Sequence, residues 1–375
     1  MKKSSGTLRS AADLIAAGLL PEPKRASIEL VSKAYAIALT ESVAGLIDAA
    51  DPDDPIARQF IPDVAELAVQ PDERADPIGD MAFTPVEGVV HRYPDRVLLK
   101  LLHICPVYCR FCFRRSVVGP NSPAYLAPKA LATAIAYIAD HSEIWEVILT
   151  GGDPLTMSTR RLTDILARLE TIDHVKVIRL HTRVPIVDPG KITARLIDCL
   201  RSSGKTVYVA LHANHPRELS TPARAACARL ADAGIPLLSQ SVLLAGVNDD
   251  IETLTHLMRA FVEARIKPYY LHQLDLAPGT AHFRVPIAKG RDLMRQLRGR
   301  VSGVCQPEYV LDIPGGHGKS PIGPNYLTET ANGQSYRVVD YSGRSHPYPP
   351  KKPVAPARPE RMLDTDQAEE TRSRC

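Results

Sequence analysis

The sequence lacks three features, each of which would point to a particular class of protein. No run of about 18 apolar residues occurs in its 375 residues, so no membrane-spanning helix is expected. The formal net charge is only +4 at pH 7, which argues against a nucleic-acid protein held mainly by phosphate contacts. The seven cysteines are odd in number and three are clustered, so no disulfide framework is indicated. We therefore expect a cytoplasmic protein that binds neither membranes nor nucleic acid.

Residues 1–85 have a helical character and are assigned to an N-terminal helical region. The start of the chain could be mistaken for a signal peptide. However, Arg9 and Asp13 interrupt its short apolar patch, and the apolar positions follow a helical period. We interpret this segment as an amphipathic helix. The clearest helical pattern after it covers residues 26–48.

From about residue 96, short apolar strands alternate with amphipathic helices. The strands are expected at 97–104, 146–150, 175–181, 206–212, 236–244 and 268–274. The helices are expected near 127–140, 160–170, 191–202, 221–233, 251–264 and 287–300. Continuously apolar strands between helices indicate an α/β fold with a parallel sheet, either an open doubly wound sheet or a partial barrel. In both, the functional groups follow the C-terminal ends of the strands.

The end of the chain differs in composition from this core. Residues 309–327 are too rich in glycine and proline for a helix or a long strand, so we expect a loop there. Residues 346–375 are proline-rich and charged, and are predicted to be disordered. We therefore divide the remainder into a core at 86–302 and a C-terminal segment at 303–345.

Three cysteines lie close together in the stretch CPVYCRFCFRR. Cys105, Cys109 and Cys112 have the spacing C-x3-C-x2-C. A structural zinc site needs four ligands; His103 or His91 could supply the fourth, but no second C-x2-C occurs. Three thiolates suit a four-iron cluster that keeps one iron open for a small ligand. Structural or zinc-binding thiols remain the alternative.

The cluster and the segment after the next strand resemble the radical S-adenosylmethionine (SAM) superfamily. Phe111 precedes the last cysteine, and TGGDP resembles the element that contacts the amino group of SAM. The resemblance implies a partial (β/α)6 barrel and a [4Fe-4S] cluster held by Cys105, Cys109 and Cys112. It also implies that SAM is bound by Gly151, Gly152 and Asp153.

Further motifs narrow the resemblance to the lysine 2,3-aminomutase family, between about residues 85 and 330. They are HRYPDRVLL, CRFCFRR, TGGDPL, HTRVPIV, HANHP, LSQSVLLAGVND, QLDLAPGTAHFR and DIPGGHGKSPIGPNY. The resemblance implies an isomerase that interconverts L-α-lysine and L-β-lysine and uses the cluster, SAM and pyridoxal phosphate. A radical derived from SAM would remove hydrogen from C3, and the amino group would then migrate from C2 to C3.

The resemblance also implies which residues bind the cofactors. Lys319, at the end of a glycine-rich loop, would form the Schiff base with pyridoxal phosphate; without the resemblance it would pass for a surface lysine. The remaining cofactor positions are Arg92, Tyr93 and Arg96 for the phosphate, and His212 and Gln240 near SAM. The resemblance therefore implies that the C-terminal segment, residues 303–345, carries the loop that binds pyridoxal phosphate.

Three further residues match the family's substrate-binding positions. Arg114 corresponds to the residue that pairs with the α-carboxylate, a task that suits a planar guanidinium. Asp275 and Asp312 correspond to the residues that bind the distal ammonium of lysine. Two carboxylates in an enclosed site would favour a cation and repel glutamate. Together they favour free L-lysine as the substrate.

The sequence departs from some family members at an intersubunit zinc site. Asp250 follows GVND where those members carry a cysteine, and Cys375 is the only cysteine of the tail. We expect no such zinc site, and the question of a homo-oligomer stays open.

Two alternatives remain at this stage. A related branch of the family acts on a lysine attached to translation elongation factor P, and it tends to lack the acid at the position of Asp312. The more distant alternative is a non-catalytic iron–sulfur or zinc redox sensor, against which the loop that carries Lys319 argues. An electron donor such as a flavodoxin or ferredoxin is the expected protein partner.

Overall fold

The computed structural model describes residues 6–120, 122–331, 333 and 335–348. The described residues fall into two compact units, one that ends at Pro324 and one that begins at Asn325. The boundaries predicted at residues 85 and 302 lie inside the first unit, and the functional division there stays a prediction. The prediction of a disordered tail over 346–375 was wrong at residues 346–348, which belong to the strand Ser345–Tyr348 and are hydrogen-bonded to a neighbouring strand. From residue 349 onward the tail lies outside the described residues.

The N-terminal region consists of short helices. They are α1 (Ala11–Ala16), α2 (Arg25–Ala34), α3 (Glu41–Ala44) and α4 (Pro55–Phe60). The helical pattern predicted over 26–48 was wrong between Tyr35 and Leu39, where the chain is not helical. Leu39 instead exchanges two backbone hydrogen bonds with Leu8, at 2.8 and 3.0 Å. Burial of both leucines in the core outweighs the local helical preference.

A nine-stranded sheet forms the centre of the first unit. Its strands are β1 (Val89–Tyr93), β2 (Arg96–Leu102), β3 (Glu146–Gly151), β4 (Val177–Thr182), β5 (Thr206–His212), β6 (Leu237–Val242), β7 (Ile266–His272), β8 (Glu308–Asp312) and β9 (Lys319–Pro321). They follow one another in the sheet in chain order. Strands β2 to β8 are parallel, and the edge strands β1 and β9 are antiparallel to their neighbours. The six predicted strands correspond to β2–β7, and the predicted partial barrel is confirmed.

Helices connect the parallel strands and cover the sheet. They are α5 (Pro128–Asp140), α6 (Thr159–Glu170), α7 (Val184–Val187), α8 (Ala194–Arg201), α9 (Thr221–Asp232), α10 (Ile251–Glu263) and α11 (Ile287–Arg300). Side-chain caps begin several of them, as at Ser158 of α6 and Asp250 of α10. Each longer helix buries one apolar face, for example Leu162, Ile165 and Leu169 of α6. These crossovers bring the C-terminal ends of the parallel strands to one end of the sheet.

The expectation of a loop at 309–327 was wrong at both of its predicted site residues, Asp312 and Lys319. Strand β8 ends at Asp312 and β9 begins at Lys319, and the two residues are paired in register. Tyr309 and Val310 are each 1% exposed, so burial forms a strand where the neighbouring glycines suggest a loop. Gly315, Gly316 and Gly318 have positive φ values, which lets the connection turn back tightly.

The second unit contains a small antiparallel sheet. Its strands are β10 (Leu327–Glu329), β11 (Tyr336–Val339) and β12 (Ser345–Tyr348). Across the described ranges, no helix is long and apolar enough to span a membrane.

Candidate active site

A cavity of about 690 Å³ lies inside the partial barrel. Alternate residues of the strands face it, such as Glu146, Ile148 and Thr150 of β3. Every site residue that the sequence predicts lines this cavity: Arg92, Tyr93, Arg96, Cys105, Cys109, Cys112, Arg114, Gly151, Gly152, Asp153, His212, Gln240, Asp275, Asp312 and Lys319. Residues from distant parts of the chain are thus brought to one place.

The three clustered cysteines occupy the loop after β2 and are free thiols. They line the main cavity and also a second space of about 50 Å³ beside Tyr35 and Tyr108. Burial, followed by the charge of Cys109, raises the pKa of Cys112 to about 11. Ionising such crowded thiols therefore needs a positive centre nearby.

The two histidines considered as a fourth zinc ligand, His91 and His103, form hydrogen bonds elsewhere. His91 Nδ1 lies 2.8 Å from the Tyr137 hydroxyl, and His103 Nδ1 lies 3.0 Å from the carbonyl of Pro123. Among the residues with described positions, no three His, Cys, Asp or Glu side chains are placed so that they could together hold one metal ion.

The two glycines of TGGDP allow the cysteine loop to pack directly on β3. A Cβ atom at Gly152 would lie 2.1 Å from the carbonyl oxygen of Ile104, and Gly151 has a φ of +114°. The N–H of Gly152 donates to Leu102 at 2.5 Å, and that of Asp153 donates to Ile104 at 3.0 Å. Glycine is therefore needed at position 152 for this contact.

Asp153 joins the ends of β3 and β4. Its carboxylate accepts hydrogen bonds from the Thr182 hydroxyl at 2.7 Å and from the N–H of Arg183 at 2.6 Å. Burial raises the pKa of Asp153, although these hydrogen bonds oppose the shift. The carboxylate is thus held in place by the protein itself.

Lys319 and Asp312 form an ion pair at one wall of the cavity. Lys319 Nζ lies 2.7 Å from Asp312 Oδ1, and His272 Nδ1 lies 3.5 Å from Asp312 Oδ2. Burial opposes ionisation of Asp312, but the bond from His272 and the charge of Lys319 lower its pKa to about 2. The backbone N–H of Lys319 also donates to the Tyr93 hydroxyl at 2.6 Å.

Asp275 is a half-buried residue whose carboxylate lacks a full set of partners. Its Oδ1 atom is buried and has no hydrogen-bond partner among the described residues. Burial first, and then the charge of Asp312, raises the pKa of Asp275 to about 7. Such a group is stabilised by any cation that enters the cavity beside it.

Two cavity arginines share one carboxylate that the sequence analysis missed. Asp80 Oδ1 lies 3.1 Å from Arg92 Nη2, and Asp80 Oδ2 lies 2.9 Å from Arg114 Nη2. Arg114 Nη1 also donates to the Thr150 hydroxyl at 3.3 Å. Asp80 therefore fixes the two guanidinium groups relative to each other. It belongs to no recognisable motif, so the sequence carried no signal for it.

The remaining predicted residues are held by their neighbours. The Arg96 guanidinium lies 3.7 Å from the centre of the Tyr93 ring and pairs with Asp95 at 2.7 Å. Gln240 Nε2 lies 3.3 Å from a ring nitrogen of His181. Burial, with the charge of Arg183 second, lowers the pKa of His212 to about 3, which keeps this imidazole neutral.

The N-terminal region supports the cysteine loop through a buried ion cluster that the sequence analysis also missed. Glu66 is fully buried; Arg110 Nε lies 2.9 Å from its Oε1, and Arg115 bonds its Oε2. The N–H of Arg110 also donates to the carbonyl of Gln59 at 2.9 Å. The loop that carries the cysteines is therefore anchored to α4 and to the turn that follows it.

Family comparisons agree with this arrangement. The model of the radical SAM superfamily matches residues 99–258, and that of lysine-2,3-aminomutase matches residues 294–369. L-lysine 2,3-aminomutase of Acetoanaerobium sticklandii is 43% identical over 78% of this chain and 70% of its own length. The chain belongs to the lysine 2,3-aminomutase family of radical SAM enzymes. It is therefore an isomerase of a family that uses a [4Fe-4S] cluster, SAM and pyridoxal phosphate.

Two further comparisons describe the range of the family and fold. Glutamate 2,3-aminomutase of Clostridioides difficile is 36% identical over 82% of this chain and 72% of its own length. A radical SAM methyltransferase structure from Sphaerobacter thermophilus aligns with a TM-score of 0.43 at 20% identity, covering 60% of this chain and 68% of that one. Members that act on lysine and on glutamate are thus both similar to this chain.

The residues present fit the cofactors of the family. Three free thiols face space on two sides, and a guanidinium nitrogen of Arg183 lies 2.9 Å from Cys109 Sγ. This donor set suits an iron–sulfur cluster. At the other wall, Lys319 faces the same cavity as Arg92 and Arg96, which suits an anionic cofactor bound through an amine.

Proposed function

We propose that the protein is an L-lysine 2,3-aminomutase that acts on free lysine. The observation that carries this proposal is the Asp275 carboxylate, whose buried Oδ1 has no hydrogen-bond partner among the residues described. Asp312 lies close enough to raise its pKa. An ammonium group placed between these two carboxylates would neutralise the charge of Asp275, which has no ion-pair partner among the described residues.

The charge at this position discriminates between amino-acid substrates. The side-chain ammonium of lysine would be attracted to Asp275 and Asp312, whereas the side-chain carboxylate of glutamate would be repelled. Repulsion inside a buried site disfavours the wrong substrate strongly, because water cannot screen it. This argument favours lysine over glutamate as the substrate.

Arg114 supports the proposal at the other end of the substrate. Its guanidinium is 12% exposed and is oriented by Asp80 and Thr150. A planar guanidinium can bind a carboxylate through two parallel hydrogen bonds. We propose that Arg114 binds the α-carboxylate of lysine while the two aspartates bind its distal end.

We further propose a division of work among the cofactor residues. Lys319 would carry pyridoxal phosphate; Arg92, Tyr93 and Arg96 would bind its phosphate. When bound, this cofactor supplies a conjugated system that stabilises an unpaired electron on the substrate. Cys105, Cys109 and Cys112 would ligate the cluster, and SAM would lie near Gly151, Gly152, Asp153, His212 and Gln240. A low-potential electron donor such as a flavodoxin or ferredoxin would reduce the cluster in the cytoplasm.

The test is an anaerobic substrate panel. The purified protein is reconstituted with iron, sulfide, pyridoxal phosphate, SAM and reductant. It is then incubated separately with L-lysine, L-glutamate, L-arginine, L-ornithine and lysyl-modified elongation factor P. We expect β-lysine from lysine and no product from glutamate. Turnover of the modified protein alone would replace free lysine by the protein-bound substrate, and turnover of glutamate would refute the charge argument.

A further inference from the structure

Arg183 places a positive charge directly against one of the three cysteines. It follows β4, and its side chain is 7% exposed. Its Nη1 atom donates to Cys109 Sγ across 2.9 Å. Cys109 and Arg183 are 74 positions apart in the chain, so the fold creates this contact. Arg183 lies in the motif HTRVPIV, which by itself indicates no contact with a cysteine.

The surroundings of Arg183 hold its guanidinium in one orientation. The Nη2 atom donates to Gln59 Oε1 at 2.8 Å and also bonds Glu218 Oε2. The guanidinium carbon lies 4.6 Å from the centre of the Phe60 ring. The backbone N–H of Arg183 donates to Asp153. Arg183 is therefore fixed to the TGGDP element and to α4 while its other end contacts the thiol.

A guanidinium in this position acts on any charge that the sulfur carries. Arginine stays protonated in proteins and donates through rigidly placed N–H groups. Hydrogen bonds to the sulfurs and the net charge around an iron–sulfur cluster set its reduction potential. Reduction adds one negative charge to the cluster, and a nearby cation stabilises that charge. Glu218 offsets part of this effect, but it bonds Nη2, whereas Nη1 bonds the sulfur.

We propose that Arg183 is a positioning residue that raises the reduction potential of the cluster through its hydrogen bond to Cys109. The step concerned is the transfer of one electron from a low-potential donor to the cluster, with no bond formed or broken. The inference rests on the proposed assignment of the three cysteines as cluster ligands. It does not depend on which substrate the enzyme uses.

The experiment compares Arg183→Met and Arg183→Lys with the wild type, after anaerobic reconstitution and without substrate. Iron and sulfide per chain are measured first, and the midpoint potential is then followed by EPR during a redox titration. We expect full iron content and a more negative potential in Arg183→Met. Arg183→Lys keeps the positive charge but loses the paired N–H donors of the guanidinium. Its midpoint potential should lie between those of Arg183→Met and the wild type.

Arg179→Met is the matched control. Arg179 is also a buried arginine of β4 with a carboxylate partner, Glu146 at 2.9 Å, and its described contacts include no sulfur. Its replacement should leave the midpoint potential unchanged.

The failure modes of the two proposals can be told apart. A wild-type protein that binds no iron would refute the cysteine assignment. An unchanged potential in an iron-replete Arg183→Met would overturn the role of Arg183 alone. If Arg183→Met does not hold iron, the midpoint potential is measured in Arg183→Gln, which keeps N–H donors without the charge. An unchanged potential in iron-replete Arg183→Gln would likewise overturn the role of Arg183.

Discussion

Lys319 Nζ lies 2.7 Å from Asp312 Oδ1, and the two residues face each other across the antiparallel pair of β8 and β9. The register of two short strands therefore places the proposed cofactor lysine beside a proposed substrate-binding acid. Because Asp312 is also bonded by His272, it keeps a partner when Lys319 changes its bonding. If the proposed roles hold, this one strand pair connects cofactor attachment to substrate recognition.

Replacement of Lys319 tests the site of cofactor attachment. Lys319→Ala should remove the visible absorbance of lysine-bound pyridoxal phosphate, because no other group would form the same covalent bond. The absorbance spectrum after incubation with the cofactor gives the answer. Lys289→Ala, at the surface beside Asp249, should keep the band. A normal band in Lys319→Ala would contradict the assignment.

Removing one of the two carboxylates proposed to bind the substrate should weaken the reaction with lysine. A hydrogen bond to a charged group contributes about 1.5–3 kcal/mol, so Asp275→Asn should lower kcat/KM by roughly 10- to 150-fold. Asp312→Asn should do the same and also disturb Lys319. Asp292→Asn, on the exposed face of α11, serves as the control. An unaffected kcat/KM in Asp275→Asn would rule out its contact with the substrate.

The pH dependence of substrate binding follows from the same carboxylate. The pKa of Asp275 is raised to about 7, by burial first and by Asp312 second. Its ionised form binds a cation, and the lysine side chain stays protonated up to about pH 10. The KM for lysine should therefore fall as the pH increases through neutrality. Asp275→Asn should lose this dependence, and an identical pH profile in wild type and variant would speak against it.

Glu66 should contribute strongly to stability. Its removal leaves Arg110 and Arg115 buried without their carboxylate. Breaking a buried ion pair from one side costs about 3–5 kcal/mol, so Glu66→Ala should reduce the free energy of unfolding by about this amount. Denaturant unfolding of the cofactor-free protein measures it. Glu29→Ala, on the exposed side of α2, should change little; equal stabilities of the two variants would argue against an anchor at Glu66.

Gly152 should be essential for assembly of the cysteine loop. A methyl group there would collide with the Ile104 carbonyl, whereas a Cβ at Gly190 meets nothing within 4 Å. Gly152→Ala should therefore bind less iron after reconstitution, and Gly190→Ala should bind the normal amount. Iron analysis of the two variants decides; full iron content in Gly152→Ala would show that the loop tolerates the displacement.

Six of the seven parallel strands and the candidate site residues could be predicted because each leaves a local pattern in the sequence. Apolar runs marked β2–β7, and ordered motifs marked residues such as Cys105 and Lys319. The strand β8 was missed since its five residues are followed directly by a glycine-rich turn.

The supporting side chains were missed for a different reason. Asp80, Glu66 and Arg183 act through contacts with residues 34, 44 and 74 positions away. Asp80 and Glu66 lie in no motif, and the motif HTRVPIV contains Arg183 but indicates no contact with a cysteine. The packing of the N-terminal region against the barrel brings Asp80 to Arg92 and Arg114 and brings Glu66 to Arg110 and Arg115, whereas the barrel itself brings Arg183 to Cys109.

Following the nitrogen of the substrate tests the central claim most directly. L-lysine labelled with ¹⁵N at its α-amino group is incubated with the reconstituted enzyme under anaerobic conditions, and the product is examined by NMR. The proposal predicts β-lysine with the label on the nitrogen attached to C3 and none at the distal end. Recovery of lysine with its label still on C2, or release of the label as ammonia, would contradict an aminomutase reaction on free lysine.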